Sequence, residues 1–311
     1  MPAAGPGAGP ADARAAAAGP APIAAEALMT HVRALAADSM EGRAIGTPGG
    51  ERARAYVLRA FRDAGLRPFG DAFEAPFATA GRDGRERRGV NVVGHVRGRT
   101  NPERYLVVSA HYDHVGVRDG ATYNGADDNA SGTGALIELA RWFAAHPPEH
   151  SLIFAAFDGE EVGLIGAGAF VRQPPVPAER IVLNVNMDMV GRNARNELYA
   201  AGASHYPFLR PYLDSVAARA PITLRLGHDD PNGPRQDDWT TQSDQGQFHR
   251  ARIPFVYFGV EDHPDYHRPT DDAERLAPAF YAGAAATVLD AVRTLDRNLA
   301  AVERARRALT P

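Results

Sequence analysis

The chain has 311 residues, with 34 Lys and Arg against 38 Asp and Glu, and contains no cysteine. That length and a 44% hydrophobic content fit one large α/β domain, or at most two, with ample core. The net charge of −4 is spread without a basic block, which excludes the electrostatic footprint of a nucleic-acid or anionic-membrane binder, and the missing cysteine excludes disulfides, thiol catalysis and cysteine-ligated zinc.

Residues 1–22 are Ala, Gly and Pro with almost nothing to bury, so they read as a flexible leader ahead of a single domain over 23–311. The leader lacks the basic start and leucine-rich centre of a secretory signal. No apolar run approaches the ~20 residues of a membrane span. The globular pattern begins with a helix around Glu26 to Ala37 and a second over Gly50 to Ala64, started by Thr47-Pro48 and striped by Ala55, Leu58, Ala60 and Phe61. A β-rich hairpin region follows, broken by the charged turn Arg82 to Arg88, with Val90 to Val96 returning and Tyr105 to Ala110 next.

Ser131 to Ala145 reads as a helix with Leu136, Leu139, Ala140 and Phe143 on one face. Then come the buried-strand run Leu152 to Phe157, a small-residue helix over Gly163 to Val171, strands Ile181 to Met187 and Pro254 to Val260, and a final helix from Ala277 to Leu295. Strands alternating with helices imply right-handed crossovers and a mostly parallel sheet covered on both sides, with ligands at the carboxyl ends of its strands.

Charged and imidazole side chains gather at those ends. His111 follows the strand Tyr105 to Ala110, Glu160 and Glu161 follow Leu152 to Phe157, Asp188 follows Ile181 to Met187, and His267 lies in the loop after Pro254 to Val260. Acids and imidazoles inside a protein are costly unless paired, and a pair of divalent metals satisfies them together. Any one of these residues alone reads as turn chemistry; their joint placement carries the metal reading. Asp113, two positions beyond His111 on the same side of an extended segment, is placed to orient that imidazole, whereas His114 points the other way and reads as a rim or core histidine.

Asp127 and Asp128 precede a helix start, where a capping role is also open. A dinuclear site needs a shared anion, for which Asp127 is the expected bridge and Asp128 the cap. Of the adjacent glutamates, one would ligate and the other accept a proton from water; spacing does not say which.

The segments resemble those of the co-catalytic zinc aminopeptidases of the bacterial leucine aminopeptidase and aminopeptidase Y type. The resemblance runs through Ser39-Met40-Glu41-Gly42-Arg43 and Gly46-Thr47-Pro48-Gly49-Gly50. It continues through the His111 and Asp127 segments, Asp158-Gly159-Glu160-Glu161-Val162-Gly163, Asn186-Met187-Asp188-Met189-Val190-Gly191, Ser243-Asp244, and Tyr266-His267 with Pro269 and Asp271. It implies a three-layer αβα fold with a mixed, mostly parallel central sheet, the zinc exopeptidase fold. It implies two Zn2+ ions per chain, one on His111 and Asp188, the other on Glu161 and His267, bridged by Asp127. It also implies Glu160 as general base, Tyr266 as an oxyanion-stabilising group, and a cis bond between Asp127 and Asp128.

The implied activity is removal of the N-terminal residue from a peptide with a free N-terminus, by a chain without nucleic-acid partner or membrane span, expected as a monomer and exported to the periplasm or beyond. Two alternatives share the scaffold: a single-zinc glutaminyl-peptide cyclase and a non-catalytic domain. The chain departs from many relatives at Gln245, where they carry histidine, and in the acidic stretch Gly227 to Trp239; both are expected to border the pocket. His263 reads as loop structure, and His205, His228 and His249 have no supporting pattern.

Overall fold

The computed structural model describes residues 23–80 and 84–308, so the leader and the tip of the charged turn expected from the sequence lie outside the described residues. In chain order the main elements begin with α1 (Ala25–Leu35), α2 (Pro48–Asp63), β1 (Arg67–Pro68), β2 (Glu74–Ala80), β3 (Glu86–Val96) and β4 (Asn101–His111). Next are β5 (Gly116–Arg118), β6 (Ala121–Tyr123), α3 (Gly132–Ala145), β7 (His150–Phe157), α4 (Ile165–Arg172), β8 (Ile181–Met187) and β9 (Glu197–Ala201). The chain continues through α5 (Arg210–Ala217), β10 (Thr223–Leu226), α6 (Gln245–Arg250), β11 (Phe255–Gly259), α7 (Pro278–Arg297) and α8 (Leu299–Ala308).

Local chemistry explains several boundaries. The α2 N-terminus is capped by Thr47, whose hydroxyl accepts the Gly50 N–H at 3.2 Å, with Pro48 at the first helical position. Its buried stripe is Ala53, Val57, Ala60 and Phe61 rather than the expected set, because Ala55 and Leu58 turn toward the helix flank and stay partly exposed. The four residues expected to face inward from α3 are all buried.

Among the described residues nine strands form one mixed sheet, ordered β1-β3-β7-β4-β8-β11-β9-β10 with β2 also paired to β3. The central strands β7, β4, β8 and β11 are mutually parallel, while β3 and β9 run antiparallel to β7 and β11. This is the expected three-layer αβα arrangement. Strand β4 shows how the sheet serves two layers: Leu106, Val108 and Ala110 join the larger core with α1, α3 and α7, whereas Tyr105 and Val107 join a second cluster with Ala167 and Phe170 of α4 and Phe248 of α6.

From β4 the chain crosses through α3 to β7 on one side, then through α4 to β8 on the other side of β4. The C-terminal end of β4 is therefore a topological switch point, where an open α/β sheet leaves a crevice. Strands β9 and β10 were not expected from the sequence. They are short, and Glu197 of β9 is tied to Arg195 and Arg225 by ion pairs, so the segment lacks the apolar run that marks the central strands. Among the described residues no helix is long and apolar enough to cross a membrane.

Candidate metal centre

The crevice is lined from the strand ends. Leu106 to Ala110 is apolar and pinned between β7 and β8, so the next residue, His111, leaves the sheet at its C-terminal edge with only 1% of its surface exposed. The turns after β7 and β8 deliver Glu160, Glu161 and Asp188, and the loop after β11 delivers Tyr266 and His267. The structure brings four of the five expected ligands together: His111 Nε2 lies 3.3 Å from Asp188, and His267 Nε2 lies 3.2 Å from Glu161.

The fifth expectation is corrected. Asp127 does not face the crevice: its Oδ1 accepts the Gly191 N–H at 2.7 Å and its Oδ2 lies 3.2 Å from His263 Nε2. Asp128 sits at the junction instead, with Oδ1 3.5 Å from His111 Nε2 and Oδ2 3.0 Å from His267 Nε2. The two acids look alike in sequence; what separates them is the backbone. Asp271 accepts the N–H groups of both Asp127 and Asp128, which holds the turn so that consecutive side chains diverge. The cis peptide bond correspondingly lies between Asp128 and Asn129, one residue beyond the position the resemblance implied. Arg43, fully buried, anchors the approach to this turn through the carbonyls of Tyr112, Leu35, Asn124 and Gly125.

His114 is the second difference. The regular strand ends at His111, so the side-to-side alternation that would turn His114 away no longer applies. Its Nδ1 lies 2.7 Å from Glu161 and 3.7 Å from Asp128, and its ring meets that of His267 edge to face, with centroids 5.7 Å apart. Two groups of candidate donors result, one of His114, Asp128, Glu161 and His267 and one of His111, Asp128 and Asp188, with Asp128 common to both.

The donors fit metal ions. His111 Nε2, both ring nitrogens of His114, Glu161 Oε1 and Asp188 Oδ1 are buried without a hydrogen-bond partner among the described residues. Polar atoms so placed are costly unless an ion completes them, and imidazole with carboxylate is a donor set that suits zinc. Burial and the Glu161 charge raise the Asp128 carboxyl above its usual range. Burial would raise Glu161 as well, but His114 and His267 hold it well below that range. His267, despite its burial, is pushed up to about 10 by Asp128 and Glu161. The Asp128 shift reflects burial beside another acid, and the Glu161 and His267 shifts reflect the pairing of carboxylate with imidazole.

Glu160 is raised well above the usual carboxylate range by burial and by Glu161, against the pull of His111. Asp113 holds the glutamate turn in place: its carboxylate accepts the Glu160 N–H at 3.0 Å and the Glu161 N–H at 3.4 Å. It orients His111 less directly than expected, since the imidazole Nδ1 is 3.2 Å from the Asp113 carbonyl and 3.7 Å from its carboxylate. Tyr266 stacks on His267 with ring centroids 4.1 Å apart, and burial raises its hydroxyl, which keeps it a proton donor at neutral pH. These groups open on a cavity of about 150 Å3, with Met189, Trp239, Tyr257, Val260 and Asp262 on its walls.

Trp239 reaches that wall because the acidic loop is tied down: Asp229 accepts the N–H groups of Gly202 and Ser204, and the His228 ring stacks on Trp239 at 3.8 Å. Gln245 does not border the pocket; fully buried, it accepts from the Asn186 amide and donates to the Trp239 carbonyl. His205 and His249 pair with Thr240 and Tyr206 away from the crevice.

Known proteins resemble the chain in sequence and in fold. A probable zinc metalloprotease of Leptosphaeria maculans is 42% identical over 105 residues, 32% of this chain and 24% of that protein. Aminopeptidase YwaD of Bacillus subtilis is 31% identical over 186 residues, 55% of this chain and 37% of that protein. The chain thus matches well under two thirds of the length of these relatives. Among solved structures, BSAP, a zinc aminopeptidase from Bacillus subtilis, superposes with a TM-score of 0.72 at 18% identity, covering 88% of this chain and 95% of that one. Porphyromonas gingivalis glutaminyl cyclase has the same fold, with a TM-score of 0.72 at 20% identity over 88% of this chain and 98% of that one. Residues 91–292, which carry every candidate ligand, match the model of peptidase family M28, and the chain belongs to that family.

Proposed function

We propose that the protein is a zinc aminopeptidase that hydrolyses the first peptide bond of a peptide with a free N-terminus, using two zinc ions that share Asp128. The observation that carries this reading is the set of buried, partnerless donor atoms on both sides of one carboxylate. His111 and Asp188 would hold one ion, Glu161 and His267 the other. Two cations about 3.5–4 Å apart need a common anion, and Asp128 offers one oxygen to each group. When bound, zinc supplies Lewis acidity and brings the pKa of a coordinated water toward neutrality.

The chain's own residues supply the rest. Glu160 takes a proton from the attacking water and delivers it to the leaving amine, a role suited to a carboxyl whose pKa burial has raised. Tyr266 stays protonated on the rim and donates to the developing oxyanion. The cavity of about 150 Å3 is smaller than the pockets that take drug-sized ligands, which suits one terminal residue. Asp262 on its wall offers a carboxylate to the substrate ammonium.

The glutaminyl-cyclase fold match keeps one alternative: a single-zinc transferase that cyclises N-terminal glutamine. The second donor group around His111 and Asp188 favours the hydrolase. Glu160→Ala is expected to retain two zincs per chain while losing roughly 10²–10⁴-fold in release of amine from aminoacyl anilides. Unchanged turnover would remove Glu160 from the base role, and cyclisation of glutaminyl peptides without hydrolysis would favour the alternative.

A further inference from the structure

We infer that His114 is a metal ligand, so that the two ions sit in unequal sites: a closed one of four protein donors and an open one of three. The inference rests on the dinuclear reading above and concerns how this chain divides the work between its ions. One donor atom each from His114, Asp128, Glu161 and His267 can be chosen so that all lie within 4.8 Å of one another. His114 Nδ1 lies 2.7 Å from Glu161 Oε1 and 3.7 Å from Asp128 Oδ2, and His267 Nε2 lies 3.0 Å from Asp128 Oδ2 and 3.2 Å from Glu161 Oε2. Donors about 2.0–2.2 Å from a tetrahedral zinc stand roughly 3.3–3.6 Å apart, a spacing that small shifts of these side chains would reach.

His114 has no other task. It is 1% exposed, and among the described residues neither ring nitrogen has a hydrogen-bond partner, although Nδ1 lies 2.7 Å from Glu161 Oε1. The ring is also fixed in aim. A Cβ at Gly125, whose φ is +54°, would come within 2.4 Å of the His114 imidazole and 2.1 Å of the Asp128 carbonyl, so the glycine lets ring and bridging turn pack together.

The other group differs in the way that matters for chemistry. His111, Asp128 and Asp188 are three donors. Closed four-donor zinc sites are characteristically structural, and catalytic ones keep a position for water or substrate. His114, Asp128, Glu161 and His267 would thus hold an ion tightly, and His111, Asp128 and Asp188 would hold one with a position left for water or substrate.

The test uses full-length protein stripped of metal and reconstituted with zinc. X-ray absorption on the dizinc protein is expected to show three imidazoles for every two zincs, falling to two for two in His114→Ala. Competition with a chromophoric chelator is expected to resolve one tight and one weak zinc, with the tight class weakened roughly 100-fold or more in His114→Ala, beyond what loss of an outer-sphere partner costs. Two imidazoles per two zincs in the unmodified protein would overturn the role of His114 while leaving the dinuclear reading intact, and it does not depend on the variant folding. Fewer than two zincs per chain would overturn both.

Discussion

His111 and His150 stand at opposite ends of adjacent parallel strands, and both are buried next to carboxylates, yet they mean different things. His150, at the start of β7, has its Nδ1 3.1 Å from Asp296, whose oxygens also accept the N–H groups of Glu149 and His150 at 2.8 Å. His31 is likewise complete, held between Tyr56 at 2.8 Å and Glu138 at 2.9 Å. At the far end His111 Nε2, both His114 ring nitrogens, Glu161 Oε1 and Asp188 Oδ1 are buried atoms with no hydrogen-bond partner among the described residues. A satisfied buried pair is structure; an unsatisfied cluster of the same groups is a candidate metal centre.

Substitutions at the two ends should therefore separate metal binding from stability. The largest effect is expected for Asp128→Ala, which removes the shared anion: zinc content should collapse and kcat/KM should fall by roughly 10³-fold or more, the several kcal/mol a Lewis acid supplies. Asp127→Asn should leave zinc content near that of the parent, because its carboxylate serves Gly191 and His263 rather than the crevice. Zinc analysis of the two variants side by side checks the assignment, and loss of metal from Asp127→Asn would reverse it.

At the other end Asp296→Ala strands His150 and two backbone N–H groups, so a stability loss of about 3–5 kcal/mol is expected in denaturant unfolding. Turnover per folded molecule should not change; a drop in kcat at full folding would mean that the strand end communicates with the crevice.

A smaller, pH-dependent effect is expected between the two regions at Asp158. Burial raises its carboxyl from 3.8 to about 7, although its Oδ2 accepts the Val90 N–H. Because the folded group holds its proton where the unfolded one has lost it, stability falls as pH rises from about 4 through 7. In metal-free protein Asp158→Asn should gain Tm relative to the parent over that window, by several degrees, and converge with it below pH 4. A constant Tm difference across the range would contradict the burial argument.

These contrasts also mark what could be read before the structure. Apolar runs such as Leu152 to Phe157 and Ile181 to Met187 announce central strands, and the acids and imidazoles directly after them announce the crevice, because strand ends are set by the sheet. The choice between Asp127 and Asp128 was not legible, since it depends on Asp271, more than a hundred residues away, gripping the turn. The approach of His114 to Glu161 was not legible because alternation holds only while the strand continues, and β4 stops at His111. Strand β9 and the edge strand β10 were hidden because they are short and carry Glu197 and Arg225, which pair across them.

The central claim is that one carboxylate, Asp128, is shared by two metal ions. Anomalous diffraction at the zinc edge from crystals of the reconstituted protein tests it most directly. The expected result is two peaks about 3.5–4 Å apart, each within roughly 2.0–2.2 Å of a different oxygen of Asp128. A single peak, or a pair of peaks centred on Asp127, would contradict the account.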